Sequence, residues 1–454
     1  MDSLAQGDAS LLLQLLLESR QVFVKKLSNN DRDWARFSNK HQAGCYVPVA
    51  ERDSGFFPPM TAKERTDGKT AEIREVELQT SWPQVGEFNK TSRLVNYRSK
   101  GEETHLTGLP KSAFAELSPS SYLAIGRTES GGEVQYRCLT VDSVSDDALV
   151  LIDALSLADD FQAVVRSPTD ERDKVHSRLL DFAERALESW QRGQIGQFAS
   201  QNASMPSTLA LADLARSQYL KSHGLDDLDP FTLECPGDAI REISRVVELA
   251  IFREFQLRSS AIALLTLVAG EDPGAVSIST IIRGLIDKVR DIDALMLSAS
   301  QQRRSRAGYS FEHHIEAMLT AGRLPFEKQV VIEAKKRPDF VMPSFKHLRR
   351  PAAGCDAGLI LSAKTTLRER WKQVQREMGD SDLFLATVDE TIASNAIVDM
   401  AEMGITLVVP EKLKAEGSDA AKAAEYRGHP NVLSFREFFR EELRDKRMLS
   451  WPLK

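Results

Sequence analysis

Between Gln21 and about Val165, apolar residues come in short runs set apart by turn residues: Val22-Phe-Val, Cys45-Tyr-Val-Pro-Val, Ala71-Glu-Ile-Arg-Glu-Val-Glu-Leu, Tyr136-Arg-Cys-Leu-Thr-Val and Ala148-Leu-Val-Leu-Ile. Runs of this length and composition read as the strands of an all-β barrel or sandwich. Ahead of them, Leu11–Leu17 is broken by Gln14 and reads as a helix that packs on the first domain. The period then changes. Ser167 to about Trp190 is helical, Gln191–Thr208 is rich in Gln, Ser, Gly, Asn and Ala and reads as a linker, and Leu209–Ser300 repeats apolar residues at helical spacing. The last third alternates helix and strand. Helices are expected at Ser310–Leu319, Leu367–Met378 and Ser394–Glu402, and strands at Gln329–Ile332, Phe340–Met342, Gly358–Lys364, Leu383–Thr387 and Ile405–Val409. The organisation expected is an all-β domain over 1–165, a helical and polar connection over 166–208, and an α/β domain with a helical lead-in over 209–454. No internal repeat is present.

Composition narrows the class. A chain of 454 residues is too long for one ordinary core. Its 42% hydrophobic and 28% charged residues are those of a soluble globular protein, and no stretch approaches the roughly 18 apolar residues of a membrane span. Leu11–Leu17 also lacks the flanks of a signal peptide. Cys45, Cys138, Cys235 and Cys355 form no CxxC pair and no zinc spacing, which reads as reduced thiols in a cytoplasmic protein. The net charge of −7 looks wrong for a DNA binder, but an average hides clusters. One cluster is Asn89–Lys100, where Lys90, Arg93, Arg98 and Lys100 stand without an acid beside Phe88 and Tyr97. From the charge run alone it reads as a solvated loop.

The chemistry concentrates in the last third. Asp339, stiffened by Pro338, opens one strand, and Ser362 and Lys364 lie two apart on the next, hence on one face. An Asp facing an x-Lys pair on a neighbouring strand is the core of the PD-(D/E)xK nucleases, in which paired carboxylates hold Mg²⁺ and the Lys orients or activates water. Here Ser362 stands where the second acid belongs, and a single carboxylate holds Mg²⁺ poorly. The helix that follows offers Glu377, thirteen residues after Lys364. His313 and His314 have no partner at ligand spacing, and no Gly-rich phosphate loop occurs, so neither zinc nor a nucleotide cofactor is expected.

The stretch Ser362-Ala-Lys-Thr-Thr-Leu-Arg-Glu-Arg-Trp-Lys-Gln-Val-Gln-Arg-Glu377 closely resembles the active-site segment of restriction endonucleases of the EcoRII type. Arg303-Arg-Ser-Arg-Ala-Gly-Tyr-Ser-Phe-Glu312 is similar to the family's segment before the metal-side helix. Lys25-Lys-Leu-Ser and His41-Gln-Ala-Gly-Cys-Tyr-Val-Pro48 resemble the start of its B3-like effector domain. The resemblance implies a B3-like pseudobarrel followed by a restriction-endonuclease-like α/β core. It implies Asp339 and Glu377 as metal ligands, Lys364 as the catalytic lysine, and Glu312 as an additional acid near the metals. Arg368, Glu369 and Arg370 would read the G·C pairs of a CC/GG-containing site, chemistry that Arg and Glu side chains can supply.

The expected protein is therefore a Mg²⁺-dependent type II restriction endonuclease acting on double-stranded DNA as a homodimer. Its N-terminal domain would gate cleavage until a second DNA copy binds there, with Lys90, Arg93 and Arg98 as candidate contacts. The rival expectation is a non-cleaving, repressor-like DNA-binding protein with a decayed nuclease fold.

Overall fold

A computed structural model describes residues 8–37, 44–62, 73–97, 101–130, 133–270, 277–331, 337–349, 358–367, 381–449 and 451. The chain divides into two compact units. The first comprises Met1–Lys174 together with two later segments, Glu390–Ala396 and Ala415–Arg427; the second holds the remainder.

The first unit is built on a nine-stranded, barrel-like sheet. Its strands are β1 (Gln21–Lys26), β2 (Cys45–Val47), β3 (Thr61–Ala62), β4 (Ile73–Trp82), β5 (Glu87–Tyr97), β6 (Thr104–Thr107), β7 (Tyr122–Ser130), β8 (Glu133–Val141) and β9 (Ala163–Arg166). They run in the order β2-β6-β5-β4-β8-β7-β1-β9, with β3 on β4. Pairing is antiparallel except for a short parallel contact of β4 with β8 at Thr80 and Ser81. The sheet is buried on both faces in its middle, which is why Val22-Phe-Val reads as an unbroken apolar run. Phe23, Leu78, Trp82, Leu94, Leu123 and Ile125 share one cluster. Val22, Val24, Ala124 and Leu139 point the other way, against Leu11, Leu12, Leu15 and Leu16 of the helix Asp8–Glu18 and against Leu151 and Leu155.

Two expectations fail here. Ala148–Ile152 is not a strand but part of the helix Asp146–Ala154. Ser145 caps its N-terminus by accepting from Ala148 N, and Asp146 and Asp147 sit in the first turn, so capping and dipole complementarity override the β propensity of Val and Ile. The basic run from Asn89 lies for most of its length within β5 rather than in a loop.

The second unit begins with helices. The segment read as a polar linker contains a helix, Ile195–Asn202, after the long helix Pro168–Gln191. Ile195 joins Phe182, Trp190 and Ile262 in a small buried cluster, so three apolar side chains hold down a stretch whose average composition is polar. Further helices are Thr208–His223, Pro236–Glu242, Glu248–Ala269 and Val289–Ala321. Ser207 caps Thr208–His223, and Gly224 ends it in the left-handed conformation.

These helices pack on a six-stranded sheet in the order β10-β11-β12-β13-β14-β15. The strands are β10 (Glu327–Lys328), β11 (Phe340–Met342), β12 (Leu359–Ala363), β13 (Asp382–Ala386), β14 (Ile405–Val409) and β15 (Val432–Ser434). β10 to β12 are antiparallel, and β12 to β15 parallel. All five residues of β12 and four of the five in each of β13 and β14 are buried, as parallel strands covered on both faces require. Among the described residues no helix is long and apolar enough to cross a membrane.

Candidate active site

β11 pairs with β12 through Phe340–Leu361, Val341–Ile360 and Met342–Leu359. Asp339 lies one residue before β11 and Lys364 one residue after β12, so both stand at the same end of the antiparallel pair. Asp339 Oδ2 accepts from the backbone N–H of Ala363 at 2.8 Å and from Lys364 Nζ at 2.7 Å. The strand-end backbone fixes the carboxylate, and the carboxylate in turn fixes the lysine. Lys364 N donates to Ala386 O of β13 at 2.9 Å, which ties the lysine's own backbone to the parallel neighbour. The pair is neither sealed nor fully wet, with side chains 27% exposed for Lys364 and 12% for Asp339. Ser362, on the strand between them, is fully buried.

A second acid comes from the helix Val289–Ala321. Phe311, Ile315, Met318 and Leu319 recur at three- and four-residue spacing and are completely buried, which turns Glu312 off the apolar face. Burial, and after it the negative charge of Asp339, pushes the Glu312 carboxyl up to about 7. Lys364 and Lys328 pull the other way, with less effect. One turn on, Glu316 is held by Lys328 Nζ at 2.6 Å. The structure thus brings Asp339, Lys364 and Glu312 within electrostatic reach of one another.

Other expected residues fall elsewhere. Glu377, Arg368, Glu369, Arg370 and Arg98 lie outside the described residues. Lys90 and Arg93 both lie on β5, but an odd separation on a strand sends them to opposite faces. Lys90 pairs with Glu87 at 2.7 Å, and Arg93 stands 4.0 Å from Glu75. Lys90 and Arg93 therefore do not share one face of β5.

Asp389 is a residue that sequence reading missed. It is almost fully buried, and its Oδ2 accepts from Leu367 N at 2.8 Å. It anchors the chain just before Arg368, yet nothing local in the sequence marks it, because its partner is 22 positions earlier. Among the described residues, one group of three could share an ion, Cys235, Asp238 and Glu411. Both Glu411 oxygens already accept backbone N–H groups, from Asp238 and Arg436, and Asp238 accepts from Lys412 N. These carboxylates staple helix N-termini to one another.

Comparison with known proteins finds similarity over the segment that carries these residues. Residues 275–438 match the family model described as EcoRII C terminal. The chain is 25% identical over 439 residues to the type II restriction enzyme EcoRII of Escherichia coli, covering 91% of this chain and 93% of that protein. It is 29% identical over 160 residues to the type II restriction enzyme SsoII of Shigella sonnei, covering 33% of this chain and 49% of that one. A solved structure of metal-depleted Ecl18kI with uncleaved, modified DNA aligns with 58% of this chain and 86% of its own, at 23% identity and a TM-score of 0.45, too loose to bear on the site. Residues 275–438 thus match the EcoRII C-terminal family, and over nearly its whole length the chain is similar to a type II restriction enzyme of the EcoRII type.

Proposed function

We propose that this enzyme cleaves double-stranded DNA at a short, CC/GG-containing palindromic or near-palindromic site, with Mg²⁺ as cofactor. The observation that carries the reading is the Asp339–Lys364 pair, locked to Ala363 N at the end of β11 and β12 with the Glu312 carboxyl beside it. The donor set fits Mg²⁺: its candidate ligands are hard carboxylate oxygens, which that ion prefers. Glu312, held protonated near neutrality partly by Asp339, is a carboxyl that a nearby divalent cation would ionise. Asp339 and Glu377 would hold the ion, with Glu312 as an additional acid near it. When bound, Mg²⁺ supplies charge stabilisation at the phosphate and a more acidic water. Lys364, oriented by Asp339, would position the attacking water. Arg368, Glu369 and Arg370 would contact the G·C pairs, on a segment that Asp389 anchors at Leu367.

Cutting both strands of a palindrome calls for two sites, hence a homodimer. We assign the barrel a B3-like DNA-binding role, with Lys90, Arg93 and Arg98 as candidate contacts, and a gating role in which a second DNA copy relieves inhibition. Support for gating comes from the first unit. Two segments from the C-terminal third of the chain are built into it by Lys26–Glu390, at 2.9 Å and buried on both sides, and by Arg32–Glu425, also at 2.9 Å. Free thiols at Cys45, Cys138 and Cys235 suit the reducing cytoplasm.

Incubating the full-length protein with supercoiled plasmid carrying such sites, with and without Mg²⁺, tests this reading. Linear products with defined ends should form only with Mg²⁺. Asp339→Ala and Lys364→Ala should abolish them while Ca²⁺-supported DNA binding persists. Undiminished cutting by either variant would remove these residues from the site.

A further inference from the structure

On the helix Val289–Ala321, Ser310 and His314 are one turn apart and share a face. Glu312, between them in sequence, points half a turn away. Both flanking residues are buried and meet one carboxylate, Glu248, at the start of the helix Glu248–Ala269. Ser310 Oγ donates to Glu248 Oε1, and His314 Nε2 lies 2.7 Å from Glu248 Oε2. On the far side of the imidazole, Arg216 Nη1 stands 3.3 Å from His314 Nδ1 and also donates to His313 O. Arg can only donate, so Nδ1 must accept and Nε2–H must be the donor to Glu248. Burial outweighs the Glu248 hydrogen bond and holds the imidazole below its ordinary 6.5, which keeps it in this neutral form. Thus the helices Thr208–His223, Glu248–Ala269 and Val289–Ala321 are tied by one buried polar chain on the side of the last helix that faces away from Glu312.

A buried carboxylate desolvated on this scale is costly unless every partner is in place, so such a network has one well-defined geometry. Apolar contacts at Phe311 and Ile315 resist separation of the helices but tolerate rotation. The Glu248 fork, bonded at two points a turn apart, resists rotation. A turn of about 20° about the helix axis would carry a side chain some 6 Å from it through roughly 2 Å. Misplacement of about 1 Å is enough to cost on the order of a hundredfold in rate.

We propose that Glu248 is a positioning residue for DNA cleavage: through Ser310 and His314 it locks the rotation of the Val289–Ala321 helix and thereby the place of Glu312 beside Asp339 and Lys364. The inference rests on the reading of those three residues as the active site.

The test measures single-turnover cleavage of site-bearing plasmid by the full-length protein at saturating DNA, with Ca²⁺-supported DNA affinity and the Mg²⁺ concentration for half-maximal rate as companion readings. Glu248→Ala should slow cleavage at least tenfold and raise the Mg²⁺ requirement, with DNA affinity changed less than threefold. Glu248→Gln keeps the shape and a carbonyl acceptor for His314, and should return the rate to within about threefold of wild type. Ser310→Ala removes one of the two links without emptying the core, so it decides the matter if Glu248→Ala does not fold; a loss of roughly three- to tenfold is expected. Wild-type rates in a folded Glu248→Ala or in Ser310→Ala would overturn the proposal, as would equal losses in the Ala and Gln variants. An Asp339→Ala control that still cuts would instead overturn the reading of the site itself.

Discussion

Replacing Glu312 by Gln separates charge from shape at the candidate site, and the outcome depends on pH. The carboxyl of Glu312 is pushed from an ordinary 4.5 to about 7, first by burial and then by Asp339. In the unfolded chain it would ionise near its ordinary value. Between about pH 4.5 and 7 the folded protein therefore holds a proton that the unfolded chain has lost, and stability falls as pH rises through that window. Above about 7 the penalty is complete and flat. One pKa unit corresponds to about 1.4 kcal/mol. Glu312 keeps some contact with solvent, so the recoverable part is on the order of 1–2 kcal/mol rather than the full shift. Glu312→Gln mimics the protonated acid and should exceed wild type only slightly at pH 5. At pH 8.5, in chelator, its apparent thermal midpoint should be higher by a few degrees. Adding Mg²⁺ should shrink or reverse that advantage, because the ion favours the ionised wild-type side chain. Differential scanning fluorimetry at the two pH values, with and without Mg²⁺, reads the effect directly. A stability gain equal at both pH values, or larger at pH 5, would refute the claim that this carboxyl is held protonated.

Three further outcomes are expected. Glu390→Gln leaves Lys26 buried against a neutral partner, which should cost up to about 3–5 kcal/mol in the first unit; on the gating proposal it should also speed cutting of single-site DNA, and an unchanged single-site rate would count against the gate. Arg368→Ala, Glu369→Ala or Arg370→Ala should each weaken specific binding by roughly 5–150-fold at fixed salt, the equivalent of about 1–3 kcal/mol for one base contact, whereas equal losses on site-bearing and site-free duplexes would show phosphate contact instead. Ser145→Ala removes a helix cap and should lower stability by about 1 kcal/mol in urea titration, with cleavage unaffected.

Much of the α/β core can be read from the chain because its signals are local. β11 and β14 run over the very residues that the apolar runs mark, as does the helix Ser394–Glu402, since continuous burial on both faces leaves continuous apolar runs. Asp339 and Lys364 are visible for the same reason: each sits at the end of such a run. The misreadings come where a local signal is outvoted. Leu149-Val-Leu-Ile152 has strand composition, but Ser145 and two acids start a helix there. Ile195 and Phe198 are too few to lift the apolar content of a Gln- and Ser-rich stretch, yet they suffice to pack a helix of eight residues. Glu248, Asp389 and Glu390 were invisible because a buried acid is identified by its partner. Those partners are 66, 22 and 364 positions away in sequence.

The absence of an acid at Ser362 changes how this site must be held together. A carboxylate at that position would be fixed by β12 itself, whose backbone is hydrogen-bonded to strands on both sides. With Ser362 buried there instead, the sheet supplies Asp339 and Lys364, and on the proposed reading other carboxylates come from the Val289–Ala321 helix and from the chain beyond Leu367. On that reading each needs its own anchor. Asp389 bonded to Leu367 N anchors one, and Glu248 bonded to Ser310 and His314 anchors the other. Both anchors are buried carboxylates. If the proposed site is correct, the consequence is a division of labour in which Phe311, Ile315 and their neighbours supply the apolar core, while a few buried acids hold the active-site groups in register.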